Sequence, residues 1–353
     1  MDGNGAFVRI GFVPLVDCAV LAIAQELGFF ERHQLDVELR KAQTWAQVRD
    51  KLLSGELDAA HLLSTMPLQL ALDAPADEPP VVYAFTLGHK GNGIILSNAL
   101  WNEGVRDAAS LALWLAQRPQ RNLVLGVVFP RGPQEYFTRT WLARGGLELG
   151  QRIALSSIPP QEMVGRLRKG GIDGFCVAEP WSRRAAASKL GRLVAQSGKL
   201  LPGLGDKVLG VRSGWHRGHS LEHSRVIRAL SQASDWLEDP ANRAAAVDII
   251  ASKRYVNTPK NVVEAALKDF AEQDAPDRGA FGAFSHDGPP DFPSQSHARW
   301  YLDQMRRWGH VDATSADLID LSSVCLEGFH RSVTSGMARP PRTPAGIDLA
   351  ADR

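Results

Sequence analysis

The sequence predicts an α/β protein built from two units, each a parallel sheet with helices on its faces. Three observations carry this expectation. Short apolar segments that read as strands alternate with amphipathic segments of about 10–14 residues that read as helices, which is the signature of βαβ units. The alternation restarts after Pro79-Pro80. The 353 residues also suffice for two domains of roughly 150 residues each.

Taken in order, residues 7–13 read as a buried strand, and Asp17 precedes an apolar-periodic helix that runs to Phe30 with Gly28 near its end. Residues 35–39 alternate as a second strand. Residues 44–53 form a helix with Thr44 as its N-cap and Gly55 beyond its end, and 58–63 form a third strand. After Pro79-Pro80 come an apolar strand at 81–87, a turn at Gly91-Asn92-Gly93 and a new strand from 94–96, and a second α/β unit follows. It continues with a strand at 123–128, a helix at 134–143 closed by Gly145-Gly146, a strand at 154–158, a helix at 161–168 and a strand at 174–177. From Val208 the chain is richer in helix, with apolar residues spaced by three or four at 221–237, 243–251, 259–271 and 293–308. Residues 276–293 form a Gly/Pro-rich loop, and 336–353 an Arg/Pro tail without apolar period.

With 44% hydrophobic and 22% charged residues, the composition excludes disordered, collagenous and coiled-coil classes. Forty basic against 39 acidic residues give a net charge of +1, too little to draw the chain to nucleic acid or to an anionic membrane. Cys18, Cys176 and Cys325 are too scattered for a disulfide framework or a zinc cage. The first nine residues lack the basic, apolar and small-residue succession of an export signal, and Asp17 spoils the lipoprotein-like box ending at Cys18. No run of about 18 apolar residues is present to span a membrane. A cytoplasmic location is the expectation from these features.

No phosphate loop or dinucleotide fingerprint occurs, and the ten histidines form no metal-binding box, so neither cofactor nor metal is expected. Cys176 reads better as a small buried residue than as a nucleophile beside Glu179 with Lys169 or Lys207 as base. What remains are polar residues at the turns between strands and helices. Trp45 follows the Thr44 cap, Gln134 stands at a helix start, Asn92 flanks the first crossing between units, and Lys207 lies near the return. Helix starts offer free N–H groups to an anion, and one ammonium can neutralise a monovalent charge. A packed Trp45, a capping Gln134, a turn-forming Asn92 and a solvated Lys207 are the plainer readings of the same positions.

The chain resembles the nitrate/bicarbonate-binding protein family over residues 8–330. Asp17-Cys18-Ala19, Trp45 with Arg49-Asp50-Lys51, Met66-Pro67 and the run from Asp173 to Trp181 carry the resemblance. It implies a two-lobed periplasmic-binding-protein-like fold of type II with the ligand cleft between lobes. Lobe 1 would comprise 5–89 plus 209–335, and lobe 2 would comprise 90–208. It also implies ligand contacts from Trp45, Asn92, Gln134 and Lys207, with Cys176 and Glu179 as pocket lining. Gln134 stands where the family's histidine is expected, and Asn92 where a glutamine is usual. Taken with the absence of an export signal, the chain resembles most the cytoplasmic nitrate/nitrite sensor branch (NasS-like), which controls an RNA-binding antiterminator (NasT-like) and performs no catalysis. The alternative is the substrate-binding component of an ABC transporter for nitrate, bicarbonate or a related small anion.

Overall fold

A computed structural model describes residues 5–74, 78–89, 91–150, 152–272, 289–312 and 319–337. The chain divides into two compact units, Met1–His89 with Gly203–Ala351, and Lys90–Pro202.

The first unit begins with β1 (Ala6–Phe12), a 3-10 turn at Val16–Cys18, α1 (Ala19–Glu26), α2 (Phe29–Arg32), β2 (Leu35–Lys41), α3 (Trp45–Leu53), β3 (Ala59–Leu63), α4 (Thr65–Asp73) and β4 (Val81–His89). The second unit contains β5 (Asn92–Ser97), α5 (Asn98–Asn102), α6 (Ala108–Ala116), β6 (Leu123–Val127), α7 (Pro133–Arg144), β7 (Ile153–Ser157), α8 (Pro160–Arg168), β8 (Gly174–Ala178), α9 (Trp181–Ala187), β9 (Gly191–Gln196) and α10 (Ser197–Leu200). The chain returns to the first unit through β10 (Gly205–Arg212). It then runs through α11 (Ser213–Gly218), α12 (Ser220–Glu238), α13 (Arg243–Ala251), α14 (Lys260–Glu272), α15 (Gln295–Arg307), α16 (Leu321–Val324) and α17 (Glu327–Thr334).

Local chemistry accounts for these elements. Thr44 caps α3, its hydroxyl oxygen accepting from the Gln47 N–H at 3.1 Å. Val48 and Leu52, four apart, bury the inner face of the same helix. Asp107 and Ser110 form a capping box at α6. Pro133 opens α7 at a position where its missing N–H costs nothing. Val8 and Ile10 of β1 share one buried apolar cluster with Ile23 of α1 and Ile227 and Leu230 of α12. Burial of each such side chain contributes about 1.5–3 kcal/mol.

Both sheets are mixed, which corrects the expectation of parallel sheets. The first has the order β2-β1-β3-β10-β4, with β1, β2 and β3 parallel and β10 antiparallel to both β3 and β4. The second has the order β7-β6-β8-β5-β9, with β5 antiparallel to β8 and β9. The reason is topological. β10 enters its sheet beside the last residue of β4, Gly205 pairing with His89, so it runs back along the strands already laid down.

Four further expectations change. Asn92 and Gly93 lie in β5 rather than a turn. A side chain at Gly93 would place its Cβ 2.7 Å from Leu193 and 3.0 Å from Ser182, so this glycine serves close packing. The helix drawn to Phe30 is broken, because Gly28 adopts φ +69 between α1 and α2. The return falls at Gly203 rather than at residue 209, because residues 205–212 form one strand paired with β3 and β4; Lys207 therefore belongs to the first unit. The helix α9 and strand β9 extend the second unit beyond the last element read from the sequence. The tail from residue 338 and most of the Gly/Pro-rich loop lie outside the described residues.

Candidate functional site

In the first unit the carboxyl ends of β1 to β4 and the start of β10 lie along one edge of the sheet, the edge at which open α/β sheets bind ligands. Asp17 follows β1, Trp45 opens the helix after β2, Ser64-Thr65 follow β3, and Asp206-Lys207 begin β10. Lys207 pairs with Leu63 on one side and Gly88 on the other, where the register with β4 slips. Such an irregularity redirects side chains at a strand end.

Lys207 is wholly buried. Its Nζ lies 2.6 Å from Asp206 Oδ2 and 3.1 Å from Asp17 Oδ2, and both carboxylates are buried too. The same Nζ stands 5.9 Å from the centre of the Trp45 ring, at the outer limit of a cation–π contact. Trp45 meets His61 edge-on at 5.0 Å, and its buried indole N–H has no partner among the described residues. The buried hydroxyls of Ser64 and Thr65, at the start of α4, likewise have none.

Burial pushes the Lys207 ammonium down, but the two carboxylates together outweigh it and lift its pKa above the ordinary lysine value. Burial pushes Asp17 up to about 6, with Lys207 opposing and Asp206 adding to the rise. Burial first, and Lys207 second, hold the His61 imidazole well below its ordinary value. The plainer reading of a solvated Lys207 is therefore corrected, because the ammonium is buried. Its charge is already met, and the formal charge of Lys207 with its two carboxylates is −1.

The second unit repeats the placement with neutral groups. Asn92 begins β5 opposite Ala178, the last residue of β8, and Gln134 is the second residue of α7 after β6. Both side chains are buried, and Gln134 Nε2 donates to Asn92 Oδ1 at 2.7 Å. The Asn92 N–H donates to Ser197 Oγ at 3.2 Å. Gln134 Oε1 has no partner among the described residues, nor has the hydroxyl of Ser182. Cys176 is buried in mid-strand opposite Ile94. Glu179 follows β8, and its Oε2 accepts from the Arg183 N–H at 3.2 Å, with the Arg183 guanidinium 3.6 Å from Oε1.

The structure thus joins Trp45 with Lys207, and Asn92 with Gln134. Sequence reasoning missed Asp206, His61, Ser64 and Thr65 as site members, and treated Asp17 only as part of a motif. A signal existed for two of them: Ser64-Thr65 before Met66-Pro67 reads as a helix start. Among the described residues, no group of three or more His, Cys, Asp or Glu could hold a metal ion. No helix among them is long and apolar enough to cross a membrane.

Residues 2–251 match the family described as NMT1-like. The chain is similar to the nitrate import ATP-binding protein NrtC of Synechocystis sp., with 33% identity over 98% of this chain and 56% of that protein. It is also similar to the bicarbonate transport ATP-binding protein CmpC of Synechococcus elongatus, with 32% identity over 91% of this chain and 48% of that protein. The chain spans about half the length of these two relatives. Among solved structures, the periplasmic nitrate-binding protein NrtA from Synechocystis PCC 6803 matches with a TM-score of 0.85 and 25% identity, covering 97% of this chain and 92% of that one.

Proposed function

This chain belongs to the NMT1-like family, and we propose that it is an oxyanion-binding component of an ABC-type import system, taking nitrate, bicarbonate or a related small anion. The names of its relatives support the ligand class and the import context. The observation that carries the reading is the buried Lys207 ammonium near the Trp45 ring, whose indole N–H has no partner among the described residues, at the strand edge where open α/β sheets bind ligands. A planar oxyanion accepts hydrogen bonds from both kinds of donor. The Ser64 and Thr65 hydroxyls at the start of α4 add two more donors, where the helix dipole favours negative charge.

We read the protein as a binder with no catalytic step. Cys176 is buried within a strand, and the Glu179 carboxylate is engaged by Arg183, so neither is poised as nucleophile or base.

A thermal-melt panel against nitrate, nitrite, bicarbonate, sulfate and chloride at matched ionic strength tests the reading. A ligand at about 100 times its Kd stabilises by roughly 2.7 kcal/mol. A rise with nitrate, nitrite or bicarbonate supports it, and no rise with any of them overturns it. The cytoplasmic sensor role has a separate signature, nitrate- or nitrite-dependent release of an RNA-binding antiterminator. The import role predicts association with permease and ATPase components instead.

A further inference from the structure

We propose that anion binding in the first unit is proton-linked: an oxyanion placed beside Lys207 draws one proton from solvent onto the carboxylate of Asp17. This inference rests on the oxyanion reading above and specifies its electrostatics.

Lys207 is held by two carboxylates in a site closed to water, with a formal sum of −1. A monovalent anion brought to the same ammonium would raise the sum to −2, with little solvent to screen it. Protonating one carboxylate removes that excess and frees part of the ammonium for the ligand. Geometry selects which one. Asp206 sits closer to Nζ, at 2.6 Å and as its chain neighbour, whereas Asp17 stands at 3.1 Å on the turn after β1.

The other groups around the pair leave Asp17 as the one to titrate. His61 on β3 is held neutral by burial and by Lys207. Trp45 on α3 carries no charge, and β4 presents Gly88, where even an added Cβ would lie 3.5 Å from Asp17 Oδ1. The Cys18 thiol, next along the turn, is pushed up by burial and by Asp17 itself, away from the neutral range. Asp17 is already lifted to about 6 by burial, with Lys207 lowering and Asp206 raising it, so a further negative charge moves its titration toward neutrality. The proton leaves water or buffer and ends on an Asp17 oxygen, and no other bond changes.

The test is titration calorimetry of the full chain with nitrate, which carries no titratable proton in this range, in two buffers of different ionisation enthalpy at about pH 7.5. The expected result is a buffer-dependent heat that corresponds to uptake approaching one proton. Affinity should fall toward tenfold per pH unit above neutrality. Asp17→Asn should abolish both the uptake and the pH dependence. Nitrate binding with no proton uptake and constant affinity overturns the inference while leaving the oxyanion reading intact, and uptake that persists in Asp17→Asn overturns the assignment to Asp17. If that variant does not fold, the proton count of the wild-type protein decides. The absence of nitrate binding in either buffer overturns the inference, and the melt panel then decides whether the oxyanion reading survives with another ligand.

Discussion

The two units put their buried polar residues at the same place in their sheets but fill it with opposite chemistry. In the first, an ammonium, two carboxylates and an indole N–H crowd the strand ends. In the second, two neutral amides hold each other at 2.7 Å. The difference teaches that charge is concentrated in one unit and geometry in the other. Removing a member of the charged group strands its partners in a dry environment, whereas removing an amide breaks the bond between Asn92 and Gln134 and leaves no buried charge unanswered.

The largest test of that contrast is Lys207→Ala, which should cost about 3–5 kcal/mol in urea unfolding because two buried carboxylates lose their cation. Asn92→Ala should cost only about 1–3 kcal/mol, and equal losses would break the comparison. Adding Asp17→Asn to the Lys207 variant should recover part of the loss, since one of the stranded charges disappears.

Next in size is the pH dependence of stability. The Asp17 carboxyl in the folded chain is raised to about 6, above its usual 3.8, so between those values the folded state binds more protons than the unfolded one. Its contribution is therefore most favourable in acid and is lost as pH rises through about 6. The unfolding free-energy difference between wild type and Asp17→Asn, read from urea melts at each pH, should widen over that window in favour of the variant, by on the order of 1–3 kcal/mol. A constant difference would show that Asp17 titrates normally.

Trp45→Phe keeps the ring against His61 but deletes the indole N–H. It should weaken oxyanion binding roughly tenfold, about 1.4 kcal/mol, while leaving stability level. Unchanged affinity would mean that the indole does not serve the ligand. The smallest expected effect is the coupling between Asn92→Ala and Gln134→Ala, about 1 kcal/mol in a double-mutant cycle. A coupling near zero would leave the second unit without its amide pair.

Much of the fold was legible because its signals are local. Thr44 before Trp45, Pro133 before Gln134 and the Gly145-Gly146 stop mark helices with little reference to the rest of the chain. Strand direction is not local. Nothing in residues 205–212 says that they insert between β3 and β4, and Gly205-Asp206-Lys207 begin that strand with residues that disfavour strands in general. The unit boundary was misplaced for the same reason. Of the site, Trp45 and Lys207 could be named from the sequence, but the carboxylates that answer Lys207 could not. Asp17 lies 190 positions earlier in the chain, and only the sheet brings it within 3.1 Å. Gly93 looked like a turn glycine because a sequence shows the lack of a side chain but not the Leu193 that needs the space.

The split of the first unit around the second has a consequence for synthesis. The strand that joins β4 to its sheet is β10, and β10 follows the whole of Lys90–Pro202. As the chain leaves the ribosome, the inserted unit is complete while the earlier one still lacks an inner strand, with the edges of β3 and β4 unpaired. A nascent chain halted near residue 202 would expose those two edges to association with other chains. The same Asp206-Lys207 step that equips the site is thus also among the last pieces needed to close the sheet.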